Sequence, residues 1–457
     1  MSLLLCDSER EESLLRLVEA GSSQNVYACY QCGKCTAACP FSLSPQRVVR
    51  LLQLEQVEEA LGHPTTWDCS SCMVCAKVCP KGVSPASLQR SLRTLHLSAG
   101  QGNGNGGPPA AGHRALDTHY RAHAHPLRTR IFAGIERLSR LGSAFAPVSN
   151  WALKIPGSKL IAHHVLGIHK NRSLPAFARE TFRQWFGAHT PLGDGHRGTV
   201  VLFDDTFMDY NYPSTGIAAT ELLERAGFRI ELADKVCCGR PMISKGLMAE
   251  ASAQARTNVS RLYEQARHGA YIVGCEPSCL LTLREEYPEL VPAEMKEKAR
   301  VVAGQALLID EFLTALSDRG ELGLTFGNGA GKSEVLFHGH CHQKAAADAT
   351  RSVELLRLAG YQAEMVDAGC CGMAGAYGYE KEHYQASREA GERAVFPAVR
   401  ARPGAQVAVM GTSCRQQIEH FTGRRPRHVV ELLQEALAPS PAKGADATSE
   451  TPAAKSR

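Results

Sequence analysis

The chain has 457 residues, 44% of them hydrophobic and 21% charged, with a formal net charge of +5. That length accommodates roughly two to four domains with sizeable cores, and no run of about 18 apolar residues is present to predict a bilayer-spanning helix. The opening MSLLLCDSEREESLL lacks a basic region and turns acidic at once, so it is not read as an export signal. Seventeen cysteines in such a chain point to metal or redox chemistry in the reducing cytoplasm and away from disulfides.

Residues 8–20 read as a short amphipathic helix. Cys29-x₂-Cys32-x₂-Cys35-x₃-Cys39-Pro40 follows, and Cys69-x₂-Cys72-x₂-Cys75-x₃-Cys79-Pro80 repeats it. This is the C-x₂-C-x₂-C-x₃-C-P spacing of bacterial two-cluster ferredoxins, in which the fourth cysteine of each run ligates the other cluster. One [4Fe–4S] cube is therefore assigned to Cys29, Cys32, Cys35 and Cys79, and the other to Cys69, Cys72, Cys75 and Cys39. Zinc also binds C-x₂-C pairs, but it gains nothing from a third evenly spaced cysteine, a crossed fourth and a proline, twice. Two cubes so close form a wire for single electrons. Between the runs, Val48, Val49, Leu52, Val57 and Leu61 recur at helical spacing, and residues 85–97 read as another helix. Residues 1–97 are thus expected to be an all-α ferredoxin-like two-cluster module. Residues 98–112, SAGQGNGNGGPPAAG, read as a flexible linker.

Residues 113–198 form a basic helical segment. Its stretch 113–189 holds twelve Lys or Arg against three acids, a larger surplus than the whole chain carries. Phe132, Leu141, Phe145, Trp151, Ile161 and other apolar residues interleave with that charge, and prolines 147, 156 and 175 break it into short helices. Basic amphipathic helices with tryptophan suit an anionic membrane surface; the plainer alternative is a set of helices packed on the neighbouring domains. Nothing resembles a nucleic-acid-binding module, so no nucleic-acid partner is expected. The segment's histidines (His113, His119, His123, His125, His163, His164 and His169) are read as interfacial or quinone-site groups. A haem reading fails for want of paired helices.

From Thr199 onward the chain repeats itself. Val201-Leu202-Phe203 returns as Val335-Leu336-Phe337, Cys237-Cys238-Gly239 as Cys370-Cys371-Gly372, and Ser278-Cys279 as Ser413-Cys414, at an offset of 133 to 135. Two duplicated α/β domains are expected, residues 199–325 and 335–436, each around a mostly parallel sheet. They are joined by a glycine-rich linker, 326–334, and followed by a polar tail, 437–457. The linker only superficially resembles a phosphate-binding loop: Phe326 stands where the first glycine is needed, and a strand follows instead of preceding. No G-x-G-x-x-G follows a strand, so the chain is not expected to bind FAD or NAD itself.

Adjacent cysteines before a glycine fit a turn in which both thiolates and nearby amides converge on one centre. The second repeat offers Cys341, Cys370, Cys371 and Cys414, enough for one iron–sulfur cluster or a zinc ion. The first offers Cys237, Cys238 and Cys279. It is completed by Cys275 or by Asp205, or it is degenerate. His338, His340 and His342 flank Cys341 and are read as groups that tune a centre by hydrogen bonding to sulfur, with ligation and an ordinary polar turn as alternatives.

The stretches CYQCGKCTAACP, DCSSCMVCAKVCP, KVCCGRPMISKG, EPSCLLTLREEYP, HGHCHQKA and GCCGMAGAYGYE resemble the iron–sulfur subunits of the heterodisulfide-reductase type. That family includes the C subunit of anaerobic glycerol-3-phosphate dehydrogenase, the glycolate oxidase iron–sulfur subunit and the C-terminal half of fused FAD-linked 2-hydroxy-acid dehydrogenases. The resemblance implies an electron-transfer subunit that takes electrons from a separate FAD-containing dehydrogenase subunit, oxidising a 2-hydroxy acid or glycerol 3-phosphate. It would deliver them to quinone or a membrane subunit at the inner face of the cytoplasmic membrane. A catalytic subunit that reduces a disulfide at the Cys-Cys-Gly cluster is the alternative. In the family each Cys-Cys-Gly is followed by C-x₂-C; here those pairs read Glu276-x₂-Cys279 and Gly411-x₂-Cys414, which weighs against both disulfide chemistry and double clusters.

Overall fold

A computed structural model describes residues 12, 14–100, 126–155, 157–327 and 333–438. The readings made for the first eleven residues, for 101–125 with His113 to His125, for most of the inter-repeat linker and for the tail beyond 438 lie outside the described residues.

Residues 14–100 fold as helices joined by turns. The central helices Pro45–Gln53 and Val57–Gly62 and the closing helix Pro85–Gly100 enclose a small core of Val18, Val48, Val49, Leu52, Leu61, Leu88 and Leu92. Proline occupies the first turn of Pro45–Gln53, where its missing N–H costs nothing. The last helix runs through Gly100, past the residue 97 expected from the sequence, because Ser98 and Ala99 carry no helix-breaking signal. The basic segment is a series of short helices, Pro126–Ala133, Ile135–Ala144, Ala146–Ala152 and Ser158–Val165. Its final helix, Phe182–Ala188, behaves differently. Capped reciprocally by Thr181 and Gln184, it buries Phe182 completely in the core of the first repeat, with Trp185 and Phe186 packed alongside.

Each repeat is built on a four-stranded parallel sheet. In the first, β1 (Thr199–Leu202), β2 (Arg229–Leu232), β3 (Tyr271–Gly274) and β4 (Ala306–Leu308) lie in the order β2-β1-β3-β4. In the second, β5 (Glu334–His338), β6 (Gln362–Met365), β7 (Gln406–Val409) and β8 (Arg427–His428) lie in the equivalent order β6-β5-β7-β8. The strand order reverses beside β1 and β5, which opens a crevice at the carboxyl ends of the strands. One hydrophobic core runs through both repeats, from Leu202 and Phe312 to Phe337 and Leu433. Helix Pro213–Arg225 packs on Val429–Ala436 of the other repeat, and Thr350–Leu358 packs on Ile309–Asp318. These are equivalent pairs taken in opposite directions, so the repeats are related by a pseudo-twofold. Each fully buried phenylalanine or leucine in this shared core contributes about 1.5–3 kcal/mol, and the two strand-end crevices are held facing the same junction.

Candidate metal centres and the cavity between them

The two ferredoxin-type runs adopt one backbone. Gln31 and Ser71 (φ 64° and 54°), Gly33 and Met73 (77° and 63°) and Ser42 and Gly82 (54° and 69°) all lie in the left-handed region. Four of the six are not glycine, at a cost of roughly 1–2 kcal/mol each. In return the loops wrap tightly before one-turn helices at Lys34–Ala37 and Val74–Lys77 and turn amides onto sulfur, as Ser71 N does to Cys69 Sγ at 3.4 Å. Cys39, Cys69, Cys72 and Cys75 line one small cavity with Phe41, Leu43 and Met73. Burial pushes the Cys75 thiol up to about 12 and Cys72 well above its ordinary value. Thiols as buried as Cys39, Cys72 and Cys75 would be costly as bare thiolates, and the four fit a cationic iron centre that deprotonates its own ligands. In the other set, the Tyr30 phenol is raised by its hydrogen bond to Cys32 and by the nearby Cys79 and Cys29, so Cys79 stands with the first run.

In both repeats the cysteines sit on loops at the carboxyl ends of strands. Cys341 opens helix Cys341–Ala346 after β5, Cys370 and Cys371 follow β6, and Cys414 lies in the first turn of Thr412–Thr422 after β7. Cys341 packs beside Cys370, Cys371 follows Cys370 directly, and Cys371 Sγ donates to Cys414 Sγ at 3.8 Å, so the four thiols are gathered in one place. The glycine after the pair is required: Gly372 has φ 94°, and a Cβ there would lie 2.0 Å from the Ser387 carbonyl oxygen.

The first repeat brings together Cys237, Cys238 and Cys279, with Cys238 Sγ donating to Cys279 Sγ at 3.1 Å. Cys279 stands at about 11, the hydrogen bond from Cys238 holding it down while burial, Asp205 and Glu276 push it up. Cys275 is not brought to them: it points into the shared core with Leu202 and Val273. Asp205 is the N-cap of helix Thr206–Tyr210 and accepts from the Phe207 and Met208 amides, which leaves Thr206 at the position of Cys341.

The two lost C-x₂-C cysteines meet across the pseudo-twofold. A Cβ on Gly411 would lie 2.5 Å from His340 Cδ2 and 3.3 Å from Glu276 Oε1, so no larger side chain fits there. Glu276 uses that space to accept from Thr412 N at 2.7 Å, and it also accepts from Ser278 N. Burial, reinforced by Asp205, raises Glu276 to about 7. No local pattern of residues signals this contact.

The ferredoxin-type module docks against the second repeat with the end of its first run and with Cys72 of its second. Cys39, Phe41 and Cys72 share one buried cluster with Cys370 and Tyr377, and Cys341 packs beside it. Phe41 meets Tyr377 edge-on at 4.8 Å, Arg393 donates to Cys39 O, and His383 approaches Asp68 at 3.6 Å. At the centre, buried Arg240 of the first repeat reaches Ser71 O, His342 Nε2 and Glu286. A largely apolar cavity opens at this junction. It is lined by Cys72, Cys341 and Cys279 with Arg240, His340, His342 and Glu276, and by the apolar Ile131, Phe132, Ile135, Leu138, Leu166 and Phe177. His163, His164 and His169 do not line it; His169 stacks on Tyr384 at 3.7 Å.

The model of a 4Fe-4S dicluster domain matches residues 28–83, and that of a cysteine-rich domain matches 200–284 and again 335–419. The chain carries one 4Fe-4S dicluster domain and two cysteine-rich domains. Among its homologues, the C subunit of anaerobic glycerol-3-phosphate dehydrogenase from Escherichia coli K12 is 29% identical over 315 residues, 68% of this chain and 78% of that protein. D-2-hydroxyglutarate dehydrogenase of Escherichia coli K12 is 25% identical over 338 residues, 71% of this chain but 32% of the larger relative. Lactate utilization protein A of Geobacillus sp. WCH70 is 27% identical over 192 residues, 39% and 74% of the two chains.

Proposed function

We propose that the chain is the iron–sulfur electron-transfer subunit of a flavin-linked dehydrogenase that oxidises a 2-hydroxy acid or glycerol 3-phosphate, with quinone as the final acceptor. Clusters held by Cys29, Cys32, Cys35 and Cys79, by Cys69, Cys72, Cys75 and Cys39, and by Cys341, Cys370, Cys371 and Cys414 supply single-electron carriers. An all-helical two-cluster module delivers to the second cysteine-rich domain, and the first keeps Cys237, Cys238 and Cys279 as a three-thiol site. The observation that carries this reading is the cavity on whose wall Cys72 and Cys341 both stand. Its lining is largely apolar and includes the Arg240 guanidinium, which could hold a carbonyl oxygen, so it suits an amphipathic ring.

The same helices supply a membrane contact. Leu141, Phe145, Trp151, Ile161 and Val165 are each more than half exposed, and Arg130, Arg137, Arg140, Lys154 and Lys159 are exposed beside them. No helix among the described residues is long and apolar enough to cross a membrane. An apolar patch rimmed by cations favours peripheral binding to an anionic inner leaflet, next to the cavity that a lipid-soluble acceptor would enter. The test is reoxidation of the dithionite-reduced protein by a short-chain quinone, compared with ferricyanide. Filling the cavity with Ala376→Trp is expected to slow the quinone reaction at least tenfold and leave ferricyanide unaffected; equal rates with quinone would overturn the assignment.

A further inference from the structure

Three histidines surround Cys341, and two of them are engaged. His340 Nδ1 accepts from His342 N and its Nε2 meets Ser278 Oγ at 3.2 Å, while His342 Nε2 meets Arg240. His338 differs. It is 1% exposed, and neither ring nitrogen has a hydrogen-bond partner among the described residues. An imidazole stripped of water with both nitrogens unpaired is costly to bury, so the site as it stands is short of something for this ring to bind. The candidate lies beside it: a His338 ring nitrogen, Cys371 Sγ and Cys414 Sγ all fall within 4.8 Å of one another. The 3.8 Å between the two sulfurs is about the edge of a tetrahedron with metal–sulfur bonds of roughly 2.3 Å.

The duplication supplies a control. The residue equivalent to His338 in the first repeat is Asp204, equally buried, but its carboxylate is bonded to Arg183 at 2.6 Å and faces Lys235 at 3.9 Å. The first repeat has satisfied this position internally; the second has left it open toward its thiols. The second repeat also has Gly411 in place of a cysteine, with His340 and Glu276 both closing on it.

We propose that His338 is a nitrogen ligand to the iron of the second cysteine-rich domain, bound at the Cys371–Cys414 side of the centre, so that the four terminal positions of the cube are filled by His338 and three of the four thiols. This rests on the reading that the second repeat holds an iron–sulfur centre. A neutral imidazole at one iron raises the reduction potential relative to an all-thiolate centre, which would make this centre the electron sink of the chain.

The test is pulsed EPR of the reduced full-length protein, with and without ¹⁵N-histidine, together with its iron content. A strong histidine nitrogen coupling is expected in the native protein and is lost in His338→Gln, with the signals of the two ferredoxin-type cubes unchanged as an internal check on folding. His338→Cys is expected to keep the centre and move its potential to a more negative value. About twelve irons with no strong nitrogen coupling, and a His338→Gln spectrum identical to the native one, would overturn the ligand and leave the electron-transfer reading intact. About eight irons, or zinc at the second repeat, would overturn both.

Discussion

The two cysteine-rich domains share a fold, a strand order and a Cys-Cys-Gly turn, yet they have diverged at two positions that bear on whether a metal can be held. Thr206 stands where the second repeat has Cys341, and Asp204, paired with Arg183 and Lys235, where it has His338. The first repeat has turned donor positions into satisfied polar contacts, with Asp205 spent on capping a helix. The second keeps four thiols and an imidazole with no hydrogen-bond partner among the described residues, and it is the one that touches Cys72. Duplication supplied two equal sites, and contact with the ferredoxin-type module separates them. The repeat next to the dicluster domain has four thiols and the other has three.

Breaking this asymmetry gives the largest expected effect. Cys371→Ser is expected to remove the second centre and slow electron delivery to quinone by roughly 100-fold, whereas Cys238→Ser changes it less than about twofold; stopped-flow reoxidation of the two variants measures the contrast. The reverse experiment rebuilds the lost donor. Thr206→Cys gives the first repeat four thiols, and iron content is expected to rise from about twelve to about sixteen per chain.

The junction that creates the contrast is tested next. Burial alone would raise Glu380, but the hydrogen bond from His383, with Lys245 and Arg128, brings it down to about 2. A carboxyl depressed in the folded state stabilises above its unfolded value, near 4.3, and loses that stabilisation as pH falls towards 2. Glu380→Gln is therefore expected to cost about 3 kcal/mol at pH 7 and progressively less from about pH 5 downward, measured by urea unfolding. The smallest effect is at the pseudo-twofold. Gly411→Ala pushes against His340 and Glu276 and is expected to cost about 1–3 kcal/mol in the same assay.

Much of this was legible in the sequence, because spacing is a local property. The two cysteine runs, the offset of 133 to 135 and the alternation of strand and helix needed no tertiary information. Contacts between distant segments did not show. Cys72 looks like every other cysteine of its run, and only docking reveals that it faces Cys341 and Cys370. His338, His340 and His342 read alike as HGHCH; one ends a strand, one caps a helix, one lies inside it, and only His338 of the three has no hydrogen-bond partner among the described residues. Phe182, Trp185 and Phe186 read as part of the basic segment by charge, although their apolar faces complete the first repeat's core. Arg240, directly after Cys-Cys-Gly, was a visible signal of the junction that charge counting overlooked.

The most direct test of the central claim is the iron, sulfide and zinc content of anaerobically purified full-length protein, with EPR after dithionite reduction. The account predicts about twelve irons with matching sulfide and no zinc, and three reducible centres. About eight irons with one or two zincs would confine electron transfer to the dicluster domain and make the second cysteine-rich domain structural, contradicting the account.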